Sequence, residues 1–431
     1  MRTSVGSLSL LGTYPVADAT VIGNIKHQGG IIIAKSSMNE LAAGIDGVSG
    51  LSGRIGNAYN SDYTSGGSSG GSAVGVAAGF APISIGSDNS GSIRIPAAFN
   101  GIYGLRPTYG LISVNGVFPM GNLDGTIGPM ASNVENLARF LTVMVNNSTN
   151  YEQSLNSNSL RMKRFAVVRS VVGRSLWNDM PKPVNEIYKR VFNNMRSAGV
   201  VIVDIDLPKF NLDRTYNMAG TLDDVHQYLL HNISSISQLQ DVCYGNSRVF
   251  GKPSQCAKFL GSVKAKNGPE YQAVKQMIAS NQRYIEKLMK EEHLDGLVFP
   301  SGKSGIADSD WHKIGDAFVI SSNSGLPEIT IPVGQLNGLP VGMEILGVQN
   351  SDSNLLNYAY AYQQHFYKFK APKLVADYSF NHCTLQQLNL LYPLIGMTSF
   401  NDAIKIENKN VEDAKQSIIA TKKAVAKAKL Y

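Results

Sequence analysis

NSDYTSGGSSGGSAVGVAAGFAPISIGSDNSGSIRIPAAFNGIYG, residues 60–104, differs from every other part of the chain. Glycine and serine crowd into two clusters, Gly66–Ser72 and Ser87–Ser92. Such composition is most often a flexible linker. Here the clusters bracket a helical pattern over 72–80 and a buried strand carrying Ile83 and Ile85, and linkers do not carry core elements. Glycine at this density beside regular elements implies tight turns that present backbone N–H groups.

Working outward, strand and helix patterns alternate. Short apolar runs read as strands at 165–170 (FAVVRS), 200–207 (VVIVDIDL), 294–300 (LDGLVFP) and 328–334 (EITIPVG). Helical periodicity separates them over 183–198, 268–292 and 353–366. Upstream, a helix over 18–28 should lead into a buried strand, Ile31–Ala34, and then a second helix capped near Ser36 or Ser37. Ser37 and Glu40 have the S-x-x-E spacing of a capping box. This alternation predicts an α/β sheet covered by helices. After about residue 375 the pattern changes, and 376–431 reads as a Lys/Ala-rich helical appendage.

Composition narrows the classes. The 431 residues are 43% hydrophobic and 16% charged, which excludes a disordered or collagen-like chain and allows a large core. Cys243, Cys256 and Cys383 form no C-x-x-C pair and fit reduced thiols. The charge balance is 39 − 32 = +7, with lysines gathered near the end (Lys415, Lys422, Lys423, Lys427, Lys429) but no interleaved aromatics. Nucleic acid is therefore not an expected partner. No apolar run reaches the 18 residues a membrane span needs, and the N-terminus lacks the form of a signal peptide. The default compartment is the cytoplasm, with no assignment made.

The seven histidines (27, 226, 231, 293, 312, 365 and 382) are scattered, so neither a Ser-His-Asp site nor zinc has support. No H-E-x-x-H or S-x-x-K occurs. What stands out is Gly66-Gly67-Ser68-Ser69-Gly70-Gly71-Ser72, followed 24 residues after Ser68 by Ser92 in Asp88-Asn89-Ser90-Gly91-Ser92-Ile93-Arg94. Further on come Gly104-Leu105-Arg106-Pro107-Thr108-Tyr109-Gly110, Asp124 with Gly128-Pro129-Met130-Ala131, and Gly338-Leu339-Pro340-Val341-Gly342.

Together these blocks resemble the amidase signature family over roughly residues 1–372. The resemblance implies one α/β/α domain around a central mixed sheet, spanning 1–375 and N-terminally shortened, and a Ser–cis-Ser–Lys hydrolase of amides. By motif position Ser92 is the nucleophile, and Ser68 is the bridging serine behind a cis peptide bond. The backbone of Asn89, Ser90, Gly91 and Ser92 supplies the oxyanion hole. The chemistry is coherent: a serine hydroxyl is a weak nucleophile until a base takes its proton, and clustered N–H groups stabilise the developing oxyanion. No metal or organic cofactor is expected, the partner is a small-molecule amide, and neither substrate-binding residues nor an oligomeric state is assigned.

Two departures stand against the family pattern. Ser90 occupies a place where glycine is usual, which would strain it if a positive φ were required and would shift or narrow the hole. The family's lysine lies in a Lys-Asp pair well upstream of the bridging serine, and Ser68 is too near Met1 for that; the chain reads as starting downstream of it. Lys35 matches another family lysine and reads as structural, so no catalytic lysine is assigned. Three functions follow: an amidase releasing ammonia or an amine; the glutaminase-type A subunit of a tRNA-dependent amidotransferase; or an amidase-like binding protein without turnover.

Several residues have bland readings. Asp88 and Arg94 fix a loop rather than touch substrate, and Asp124 anchors another. Trp177, Trp311, Tyr216, His226 and Tyr228 serve packing more readily than a substrate funnel.

Overall fold

A computed structural model describes residues 1–373 apart from 8–9, 11–12, 120–122, 124, 179, 213–220, 233–247, 250–251, 254–265, 267, 303–304 and 309–318. The three cysteines and the appendage expected over 376–431 lie outside the described residues.

A nine-stranded mixed sheet organises the chain. Its path begins with β3 (Ile83–Asp88), β5 (Thr126–Ala131), β4 (Tyr103–Arg106) and β12 (Glu328–Leu336). It continues through β13 (Leu339–Leu346), β11 (Gly296–Pro300) and β6 (Arg164–Val171) to β7 (Arg174–Ser175), and β8 (Val201–Leu207) also pairs with β6. The β11–β6 and β6–β8 pairs are parallel, and the remaining pairs of this sheet are antiparallel. Two small hairpins stand apart: β1 (Val48–Ser49) with β2 (Gly53–Arg54), and β9 (Arg248–Val249) with β10 (Lys252–Pro253).

The helices are α1 (Thr20–His27), α2 (Gly70–Ala77), α3 (Arg94–Phe99), α4 (Val134–Val145), α5 (Lys182–Ser197), α6 (Thr221–Asn232), α7 (Pro269–Glu291), α8 (Val319–Ser322) and α9 (Asp352–Phe366). Side-chain alternation along the strands sorts them into two layers. Leu105, Ile329 and Ile345 share one row of the register, and all three join the core formed with α4, α5 and α9. On the opposite face Met130 packs with α2 and α3, and Leu297, Phe299 and Leu346 pack with Ile285 and Met289 of α7. The α/β/α arrangement around a mixed sheet is thus the one expected.

The strands and helices read from periodicity over 164–207, 268–300 and 328–366 are present within one or two residues. Two expectations fail upstream. No strand forms over Ile31–Ala34; Ile31 is 85% exposed and Ile33 64%, because no described strand lies beside the run to pair with it. Nor does a second α-helix follow. Leu41 and Ala42 take positive φ, leaving a single 3-10 turn at Glu40–Ala42. Ser37 Oγ instead accepts from Ser52 Oγ and Glu40 accepts from Ser7 Oγ, so both halves of the capping box are engaged elsewhere. Ile83 and Ile85 do lie on a strand but are half-buried rather than buried. No described helix is long and apolar enough to cross a membrane.

Candidate active site

The first glycine–serine cluster forms the loop that enters α2. The peptide bond between Gly67 and Ser68 is cis, as the resemblance implies. Residues 36–39 run alongside this loop: Gly71 N–H donates to Ser37 O at 3.0 Å, Asn39 N–H to Ser68 O at 3.1 Å, and Ser36 and Ser72 share a hydroxyl contact of 2.7 Å. Asn39 is fully buried, and its Oδ1 accepts from Gly47 N–H. A Cβ on Gly67 would sit 2.1 Å from that oxygen, so glycine is required there by contact. Ser68 is fully buried, and its Oγ has no hydrogen-bond partner.

The second cluster turns the chain from β3 into α3. Ser69 N–H donates to Ser92 O at 3.2 Å, which ties the Ser68 loop directly to the Ser92 turn. Ser69 Oγ also clamps Ser87, accepting its N–H and donating to its carbonyl. Ser92 is 6% exposed. Within the turn, Asp88 accepts from Gly91 N–H at 2.8 Å through Oδ1 and from Ile93 N–H at 3.1 Å through Oδ2. The Gly91 N–H thus donates inside the turn, to the Asp88 carboxylate, where the resemblance gives it to the oxyanion hole. The positive φ of the turn (+103°) falls on Gly91, and Ser90 is outside the left-handed region, so the serine substituted for glycine carries no such strain.

Under the turn lies a cluster of buried charges that periodicity places on the α3 side of the sheet. Arg106 on β4 stands opposite Glu328 on β12, and Thr330 stands opposite Glu344 on β13. Arg94, at the start of α3, reaches into this row. It grips Asp88 with two nitrogens, Nε to Oδ2 at 3.0 Å and Nη2 to Oδ1 at 3.2 Å. Its Nη1 donates to both Glu328 Oε1 at 2.6 Å and Glu344 Oε2 at 3.1 Å. Arg106 Nη1 donates to the Asp88 carbonyl at 2.5 Å and its carboxylate at 3.3 Å. All five charged side chains are fully buried.

Electrostatics follow from this packing. Burial raises the Asp88 carboxyl, but the two guanidiniums and the hydrogen bonds from Arg94 and Gly91 outweigh it and hold the group well below the ordinary carboxylate range. Burial pushes the Glu344 carboxyl up, and the neighbouring Glu328 adds to it against the pull of Arg94. Asp88 and Arg94 thus fix the loop, as read from sequence. Glu328 and Glu344, and the part played by Arg106, were missed. The available signal was a glutamate inside each of two apolar strands, since an ionisable group among core residues is the informative exception.

Lys35 donates its Nζ to Thr3 Oγ1, and partial burial lowers its ammonium group while Asp18 opposes the shift. That contact fits the structural reading. Trp177 packs edge-on against Tyr188 with centroids 5.3 Å apart and donates Nε1–H to Val168 O at 2.7 Å. Tyr228 on α6 packs edge-on against Phe118. Both are packing residues; His226 lies on the same helix as Tyr228. Asp124, Tyr216 and Trp311 lie outside the described residues. No group of three metal-ligating side chains occurs among the described residues.

The family described as Amidase matches residues 1–356. The A subunit of glutamyl-tRNA(Gln) amidotransferase from Symbiobacterium thermophilum is 31% identical, over 84% of this chain and 80% of the relative. Its counterpart in Saccharolobus solfataricus is 29% identical, over 83% and 79%. Among solved structures, native peptide amidase from Stenotrophomonas maltophilia superposes with a TM-score of 0.76 at 27% identity, covering 86% of this chain and 81% of that one. An amidase family protein from Bacillus anthracis gives 0.76 at 26% identity, covering 87% and 76%.

Proposed function

This chain belongs to the amidase signature family of C–N hydrolases, and we propose that it cleaves a carboxamide through an acyl-enzyme on Ser92. The observation that carries the reading is the junction of the two serine loops. Ser68 follows the cis bond with a buried, unpartnered hydroxyl, and the next residue bonds directly to Ser92.

In this reading Ser92 Oγ forms a bond to the amide carbon while its proton passes to Ser68 Oγ, which hands its own proton to a base. The carbonyl oxygen becomes an oxyanion held by the amides of Asn89, Ser90 and Ser92. The C–N bond then breaks, the nitrogen leaves with a proton, and water cleaves the Ser92 ester to free the acid. In the family the base is a lysine. No described lysine hydrogen-bonds to Ser68, and none is assigned the role.

A second reading, a glutaminase component working within an amidotransferase, is favoured by the names of the Symbiobacterium and Saccharolobus relatives. The two separate on a panel of acetamide, benzamide, L-glutamine and a C-terminally amidated dipeptide, with ammonia as readout. Release that disappears in Ser92→Ala and falls in Ser68→Ala is the expected result. Hydrolysis of glutamine alone favours the amidotransferase reading. Binding of the amides without turnover favours an amidase-like binding protein, and an unchanged rate in Ser92→Ala overturns the assignment.

A further inference from the structure

The charge cluster beneath the Ser92 turn contains an imbalance that its geometry resolves. Among the described residues, three carboxyl groups, Asp88, Glu328 and Glu344, meet two guanidiniums, Arg94 and Arg106, with none of the five side chains reaching solvent. An uncompensated buried charge is costly enough that such a group takes up a proton instead. The contacts show where that proton belongs. Asp88 is held by both arginines and two backbone amides, so it is the carboxylate best supported as an anion. Glu328 and Glu344 must share one nitrogen, Arg94 Nη1, through one oxygen each. Their other oxygens, Glu328 Oε2 and Glu344 Oε1, are buried and without a hydrogen-bond partner. A hydrogen on one of these two neighbouring carboxyl groups lets it donate to the other.

We propose that Glu328 and Glu344 hold a single proton between them, resident on Glu344, and that this acid–carboxylate pair positions Arg94 and, through it, Asp88 and the Ser92 turn. Among the described residues, the titratable and charged neighbours are Asp88 from the turn, Arg94 from α3, Arg106 from β4 and Tyr188 from α5, whose hydroxyl donates to the carbonyl of Gly342, two residues before Glu344 on β13. With the shared proton, the two glutamates carry one negative charge between them. Without it, two anions face each other across one guanidinium nitrogen, and the grip of Arg94 on Asp88 has a competitor. The inference stands whether or not Ser92 turns over an amide.

The experiment compares the full chain with Glu344→Gln and with the Glu328→Gln/Glu344→Gln double variant. Unfolding midpoints are followed from acidic to alkaline pH, and infrared difference spectra are recorded at neutral pH. Glutamine matches a protonated glutamate in shape and charge, so Glu344→Gln should fold with an undiminished neutral-pH midpoint. A group whose folded pKa is raised binds more protons folded than unfolded, so its contribution to stability declines as pH rises through that window. The native chain should therefore lose midpoint relative to Glu344→Gln toward alkaline pH. It should also show a protonated-carboxyl C=O band, shifted in D2O, that Glu344→Gln lacks. The double variant also removes the carboxylate that Arg94 Nη1 binds and should have a lower midpoint at every pH. A difference spectrum without that band, or a Glu344→Gln chain that unfolds as easily as the double variant or fails to fold, would overturn the proposal.

Discussion

Two regions meet at Asp88 and are built by opposite means. Above it, residues 64–72 and 87–93 form loops of glycine and serine, whose contacts are mostly backbone amides, carbonyls and small hydroxyls. Below it, five fully buried ionisable groups come from residues 88, 94, 106, 328 and 344. The upper region needs tight backbone approach and tolerates no bulk. The lower one needs matched charge and tolerates no water. Asp88 belongs to both, accepting Gly91 and Ile93 amides on one side and two arginines on the other. The contrast teaches that the shape of the Ser92 turn is written locally, while its rigidity is supplied by strands more than two hundred residues away.

The comparison can be broken from either side. The largest effect should come from Ser92→Ala, which removes the proposed nucleophile; turnover should fall by about 10⁴-fold or more while stability changes by less than ~1 kcal/mol. Steady-state ammonia release and denaturant unfolding on one preparation check both halves. Arg94→Ala should show the reverse emphasis. It strands buried carboxyl groups, so unfolding free energy should drop by about 3–5 kcal/mol, and a loss under ~1 kcal/mol would mean the cluster is not holding the turn.

Smaller changes sharpen the boundary. Gly67→Ala drives a methyl group to within 2.1 Å of Asn39 Oδ1, so either the buried Asn39 amide or the Ser68 loop must shift. A cost of about 1–3 kcal/mol is expected, read from the denaturation midpoint. Asp88 gives the acid limb. Its folded pKa is depressed, so the stability it contributes is present above its unfolded value of about 3.9 and is lost as pH falls below it. Asp88→Asn should flatten that limb in a pH series of unfolding. The smallest effect belongs to Ile31→Thr and Ile33→Thr, which change exposed side chains and should shift stability by no more than about 0.5 kcal/mol.

The upper region was legible in the sequence because its determinants are neighbours. Gly66–Ser72 and Asp88–Arg94 carry their turn geometry in their own residues, and the alternation from Arg164 onward places strands and helices within a residue or two. Ile31–Ala34 shows the limit. Four apolar residues announce a strand, yet a strand exists only where another lies beside it, and here the run stays exposed. Glu328 and Glu344 show the same limit from the other direction. Their meaning depends on the register that sets Arg106 against Glu328 and Thr330 against Glu344, which no local pattern records. Ser90 was a warning that did not materialise, because the left-handed step falls one residue later on Gly91.

Covalent labelling tests whether Ser92 is the nucleophile of this turn without knowledge of the substrate. The full chain, Ser92→Ala and Ser68→Ala would each be treated with a fluorophosphonate, and the adduct located by peptide fragmentation. The account predicts a single adduct on Ser92, slower to form in Ser68→Ala and absent in Ser92→Ala. An adduct on another residue, or labelling that persists unchanged in Ser92→Ala, would contradict it.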